Sequence, residues 1–103
     1  MSQNHITLKT PTGRDLPVIV GWDRQLSEYF SNCLPDDDDD GDYSALTMQS
    51  YDDVEALAEN FRQAGYALPR AVIDAVALDC EENAGNRIRV FDATGKLESE
   101  FAF

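Results

Sequence analysis

Gly21-Trp22-Asp23-Arg24-Gln25-Leu26-Ser27-Glu28-Tyr29-Phe30-Ser31-Asn32-Cys33-Leu34 is the stretch on which the fold turns. At a helical period, Leu26, Tyr29, Phe30, Cys33 and Leu34 fall at i, i+3, i+4, i+7 and i+8, which is an apolar stripe. At a period of two, Glu28 to Cys33 is a short aromatic strand entered by a turn at Asp23-Arg24. A run of this length does not separate the two readings, and periodicity alone favours the helix. The choice decides whether a sheet begun upstream stops here or gains another strand.

Upstream the pattern is clearer. Ile6-Thr7-Leu8-Lys9-Thr10 alternates apolar and polar with β-branched residues, as a strand with one buried face does. Pro11-Thr12-Gly13-Arg14-Asp15 supplies a turn, since Pro fixes φ and Gly tolerates φ > 0. Leu16, Val18, Val20 and Trp22 then share one face of a second strand, so a β-hairpin is expected over 5–21. Pro17 cannot donate to a ladder and belongs at a strand start or on an edge.

Downstream, Tyr43-Ser44-Ala45-Leu46-Thr47-Met48 reads as a strand. Ser50 is placed as an N-cap with Asp53 in the capping-box position and Asp52 close to the positive helix end. Val54, Leu57, Ala58, Phe61 and Ala64 form an apolar stripe closed by Gly65, predicting a helix over 51–64. Leu68-Pro69 opens a second helix over 69–82, with Val72, Ile73, Val76, Ala77 and Cys80 inward. The short link predicts an antiparallel or angled pair. Arg87 to Phe91 and Lys96 to Phe103 read as a closing hairpin with two candidate registers. A Gly95 bulge pairs Asp92 with Lys96, whereas opposed charges pair Arg89 with Glu98 and Arg87 with Glu100. The expectation is one α+β domain over 1–103, a mostly antiparallel sheet with both helices on one face.

Composition agrees with a folded chain: 103 residues, 43% hydrophobic and 10% aromatic, with a mean hydropathy of -0.41. One modest core suits that length. The charge is lopsided. Between Gln25 and Asn60 there is no Lys, Arg or His, while Glu28, Asp36 to Asp40, Asp42, Asp52, Asp53, Glu55 and Glu59 are all acidic. Those carboxylates hold nearly all of the formal net charge of -12. Such a field opposes contact with nucleic-acid phosphates and with anionic membranes. It favours a cationic partner, a divalent metal, or plain solubility. The start carries no basic region followed by an apolar one, and no apolar run approaches membrane-spanning length. Cys33 and Cys80 read as reduced core residues of a cytosolic protein, with a disulfide left open.

The densest feature is Asp36-Asp37-Asp38-Asp39-Asp40-Gly41-Asp42, where like charges favour a solvated loop. Asp36, Asp38, Asp40 and Gly41, followed by Tyr43 and Ser44, match the first half of an EF-hand loop. The bidentate Glu that closes such a loop is replaced by Thr47, and Pro35 breaks the entering helix. A calcium site through Asp36, Asp38, Asp40 and Asp42 is therefore the alternative reading. The leading one makes the acidic third a binding surface for a basic protein: Asp36 to Asp40, Asp42, Asp52, Asp53, Glu55 and Glu59, with imitation of a phosphate row as one form of it. Trp22 and Arg24 have the composition of an interface hot spot, although a core role for Trp22 is favoured. For catalysis there is only His5 near the N-terminus, two cysteines without a partnering His, and no nucleophile-elbow, phosphate-loop or zinc motif.

Gly21-Trp22-Asp23-Arg24-Gln25-Leu26, with Tyr29-Phe30 after it, resembles a group of small, biochemically uncharacterised bacterial proteins. Their motif reads Gly-Trp-Asp-Arg-Pro-Leu, then aromatics, an acidic loop, a Val-Glu-x-Leu-Ala helix and a Leu-Pro that opens a second helix. The matching pieces are Val20 to Leu26, Tyr29-Phe30, Asp36 to Asp42, Asp53 to Ala58 and Leu68-Pro69. Gln25 stands where that group often has Pro, and Arg87 to Phe103 lies outside the likeness. The resemblance implies a strand over 28–33 and supplies no activity, ligand or catalytic residue. The function expected is a non-enzymatic, cytoplasmic protein-binding module, an inhibitor or accessory factor, without a cofactor unless calcium binds.

Overall fold

The computed structural model describes residues 1–39 and 41–102. Their order is β1 (Ser2–Lys9), β2 (Asp15–Asp23), β3 (Glu28–Cys33), β4 (Gln49–Tyr51), α1 (Val54–Gln63), α2 (Arg70–Glu81), β5 (Arg87–Phe91) and β6 (Leu97–Ala102). The class is α+β, and the strands form one sheet in the order β4-β3-β2-β1-β5-β6.

The N-terminal hairpin runs further than its alternation implied, with Leu8 against Leu16 and Asn4 against Val20. Leu16, Val18, Val20 and Trp22 do share the buried face. Pro17 lies in a central strand, yet β3 pairs with β2 only from Val18 onward. At Pro17 the β2–β3 ladder ends with Leu34 N–H donating to Pro17 O, so a residue without an N–H is tolerated there.

Glu28 to Cys33 is a strand, so the helical stripe at 26–34 is overturned. Tyr29, Ser31 and Cys33 turn inward, whereas Phe30 and Asn32 lie half-buried on the opposite face and Leu26 stands exposed. Asp23 builds the preceding turn, its Oδ1 accepting from the Gln25 and Leu26 amides. The expected strand over 43–48 is corrected as well. Tyr43 O accepts the Leu46 and Thr47 amides and the Thr47 hydroxyl, which coils the segment into turns. The strand that follows is β4.

The N-cap of helix α1 stands three residues later than predicted, because Ser50 is in β4 and Asp53 is the cap, accepting the Ala56 amide at 2.7 Å. Gly65 closes it at φ +95, with Gly65 N–H to Arg62 O and Tyr66 N–H to Phe61 O. That pair of bonds is a Schellman ending. Pro69 is the residue before the first turn of α2. Helix α1 lies on β3 and β4, and α2 on β1 and β2. Between them and the sheet sit Leu16, Val18, Val20, Leu46, Leu57, Phe61, Val72 and Val76, each at 1% exposure or less. Burying such side chains stabilises by about 1.5–3 kcal/mol apiece.

The sheet is mixed. After α2 the chain enters beside β1 and runs parallel to it, Ser2 facing Arg87 and His5 facing Val90. The closing hairpin begins in the register of the Gly95 turn and then leaves both expected ones, so that neither Arg89 with Glu98 nor Arg87 with Glu100 is paired. Asp92 N–H bonds Lys96 O at the turn, and a bulge between Val90 and Phe91 then sets Arg89 opposite Glu100. Phe103, at the end of that predicted hairpin, lies outside the described residues.

The helices leave one side of the sheet uncovered. Along β3, β2, β1, β5 and β6 that side presents Phe30, Ile19, His5, Ile88, Val90 and Phe101.

Candidate binding surface

The acidic loop begins where β3 ends, with Leu34 N–H still bonded to Pro17 O at 2.9 Å. Asp39 folds it: its amide reaches Asp36 O, one carboxylate oxygen accepts the Gly41 amide at 3.0 Å, and the other accepts the Tyr43 hydroxyl at 2.7 Å. These bonds to the ionised form hold the Asp39 carboxyl below the usual carboxylate range. Asp42 is lowered for the same reason, accepting the Ser44 amide. Donation to Asp39 pushes the Tyr43 phenol up to about 12. Arg14 Nη1 donates to the Asp38 carbonyl at 3.2 Å and ties the loop to the β1–β2 turn. Leu46, 1% exposed, anchors the far side, and its carbonyl accepts the Ser31 hydroxyl at 2.8 Å. Asp36, Asp37 and Asp38 are left exposed, and among the described residues none joins an ion pair.

The remaining carboxylates stand elsewhere. Because β4 runs antiparallel to β3, with Tyr51 facing Tyr29, Asp52 and Asp53 emerge at the Glu28 end of the sheet. Asp23 faces Glu28 at that same end. The loop leaves from the Cys33 end, five residues away along β3, or about 17 Å. Two acidic ends therefore replace the single side implied by linear sequence. Two of the carboxylates are neutralised by arginines from beyond the cation-free stretch. Arg70 bonds Glu55 at 3.4 Å and Asp74 at 3.0 Å, and Arg62 pairs with Glu59.

The Trp22–Arg24 pair separates. Trp22 is 8% exposed and packs on Tyr29 with ring centroids 5.1 Å apart, so it belongs to the core and not to a surface. Its Nε1 has no acceptor among the described residues. Arg24 is exposed, its guanidinium lying over Gly85. Among the described residues no three His, Cys, Asp or Glu side chains converge as metal ligands. Asp40, one of the four in the calcium reading, lies outside those residues. Cys33 and Cys80 are free thiols, and burial pushes Cys33 up to about 11, which keeps it protonated and unreactive at neutral pH. Burial also lowers the His5 pKa, which favours the neutral ring.

One polar centre escaped the sequence reading. Asp79 is wholly buried: Oδ1 accepts from Arg89 at 2.9 Å and Arg87 at 3.0 Å, and Oδ2 accepts from Asn4 at 3.1 Å. Arg89, 5% exposed, also reaches Asn4 Oδ1 and Glu100. The signal was present, since Asp79 stands seven residues after Val72 and three after Val76, on the inward stripe. Arg87 and Arg89 alternate on one strand face toward it. The cluster joins α2, β1, β5 and β6.

On the uncovered side of the sheet lies a hollow of about 360 Å³ whose lining includes Ile19, Phe30, Met48, Asp23 and Glu28. Among the described residues no helix is long and apolar enough to cross a membrane. Compared with known proteins, the chain matches no family model, no curated protein and no solved structure.

Proposed function

We propose that this chain is a non-enzymatic, cytoplasmic protein-binding module, an inhibitor or accessory factor, that engages a partner carrying basic groups through its acidic residues. The observation that carries this reading is the exposed run Asp36-Asp37-Asp38, whose carboxylates join no ion pair among the described residues, Arg14 reaching only the Asp38 carbonyl. Asp52 adds a second exposed carboxylate at the other end of the sheet. Charges so disposed speed encounter with a basic surface and make the complex sensitive to salt. Two separated acidic ends suit a partner with two basic patches better than a continuous groove built for nucleic acid.

The test is capture of partners from a bacterial lysate at low and high salt, with the wild type and with Asp36→Asn, Asp37→Asn, Asp38→Asn combined. A basic partner that elutes by about 0.5 M salt, and whose recovery falls in the triple variant, supports the reading. Partners held equally by both proteins at every salt concentration would contradict it.

A further inference from the structure

We propose that the outer edge of β6 accepts an extended, basic segment of the partner as a further strand, an inference that rests on the protein-binding reading above and names a second contact for it. Of the two edge strands, β4 has three residues and β6 has six. Among the described residues no strand lies on the outer side of β6, so its outward N–H and C=O groups are placed as a template for another strand. The bulge is confined to the turn end. From Ser99 to Ala102 the strand runs in unbroken register against Val90 to Arg87, and neither Pro nor Lys interrupts residues 97–102.

On the helix side this edge borders a cleft. Helix α2 packs mainly on β1 and β2, and beside β5 and β6 a space of about 490 Å³ remains. Leu78, Phe91 and Leu97 line it together with Asp74, Glu82 and Glu100. Leu78 and Leu97 are 43% and 46% exposed. Each of the three carboxylates already meets one arginine, yet their side chains remain 62%, 48% and 45% exposed. Arg87 and Arg89, also in the lining, are taken up by Asp79, Glu82 and Glu100. Such a cleft suits Lys or Arg, whose stems lie along apolar walls while their heads reach carboxylates. Glu98, exposed and in no ion pair among the described residues, adds a further acid to the edge. The other face of β6 is apolar, with Phe101 opposite Ile88 and 54% exposed. Successive residues of a strand point to opposite faces, so the complement is a segment that alternates basic and β-branched residues.

A second copy of this chain does not fit the same edge. Antiparallel pairing of β6 with another β6, centred on Ser99 or on Glu100, opposes Glu100 of each copy to Glu98 or Glu100 of the other. Like charges directly opposite are destabilising, and both bodies carry a formal charge of -12.

The probe is an end-capped peptide of about nine residues, within ordinary strand length, that alternates Arg and Val. One control carries Glu in place of Arg, and another has every backbone amide N-methylated, so that it cannot donate to a ladder. Binding is followed by fluorescence anisotropy and by amide shifts of the protein. The alternating basic peptide is expected to bind more tightly than either control and to shift amides of β6 and β5. N-methylation should weaken it at least about tenfold. Leu97→Ser with Phe101→Ser, at exposed positions where folding is not at stake, should weaken it several-fold, and Glu98→Gln with Glu100→Gln should make it less sensitive to salt. Equal binding of the N-methylated peptide, binding unchanged in both variant pairs, or self-association of the protein in sedimentation would overturn the proposal. Amide shifts confined to residues 34–39, and lost in the triple Asp→Asn variant, would remove this edge and leave the acidic reading standing. Shifts along β6 that persist in that variant, together with lysate capture indifferent to it, would leave the edge standing and remove the acidic reading.

Discussion

Asp79 shows how much one buried side chain can hold. Its carboxylate receives two arginines and an asparagine in the space between α2 and the sheet, and Arg89 is itself almost fully buried. Buried ion pairs add little net stability, but removing one member strands the other in a medium that solvates it poorly. Asp79→Ala should therefore lower unfolding free energy by about 3–5 kcal/mol in urea titrations. The double variant Asp79→Leu with Arg89→Met should cost less than the sum of the two single changes, which a double-mutant cycle would register. At the surface, Asp39 and Asp42 work differently. Their folded pKa values lie below the ordinary one. Their contribution to the folded loop is thus complete above about pH 4 and fades as the pH drops through the lowered values. Tyr43→Phe removes one donor to Asp39, so the Asp39 carboxyl resonance should titrate at higher pH than in the wild type.

Helix α1 is the element whose ends can be tested one residue at a time. Asp53→Ala removes the N-cap bond and should destabilise by about 1 kcal/mol. Gly65→Ala meets no neighbour within 4 Å but must hold φ +95, a further cost of about 1 kcal/mol. Urea midpoints measure both. The same helix illustrates what local sequence can say. Its stripe at Val54, Leu57 and Phe61 and its glycine stop are properties of neighbouring residues, and they were legible. Its start was misplaced because Ser50 and Asp53 are both good caps, and pairing of Gln49 to Tyr51 with β3 decided between them. Strand β3 was ambiguous for a related reason: Tyr29 and Phe30 point to opposite faces that are both partly apolar, so neither period stood out. Likewise the parallel place of β5 beside β1 depends on an edge created about eighty residues earlier, which hairpin patterns do not encode. The bulge in β6 set a register beyond the turn that neither turn chemistry nor charge pairing had assigned.

Across the whole molecule the charge is large for its size, and two groups of carboxylates stand near opposite ends of β3. Self-repulsion of that kind weakens the compact state and is relieved by ions. Adding salt up to about 0.5 M should therefore raise Tm, as scanning fluorimetry would record, and combined Asp36→Asn, Asp37→Asn, Asp38→Asn should reduce the gain. The acidic residues were legible as composition. Their division between two ends was not, because it follows from β4 turning back along β3. The uncovered apolar face was hidden for the same reason, since Ile19, Phe30 and Val90 meet only through strand order. The most direct measurement is the affinity for a basic partner captured from lysate as salt rises from about 0.05 to 0.5 M. The account predicts steadily weaker binding, with a shallower slope once Asp36, Asp37 and Asp38 are neutralised. An affinity indifferent to salt and to those three substitutions would contradict it.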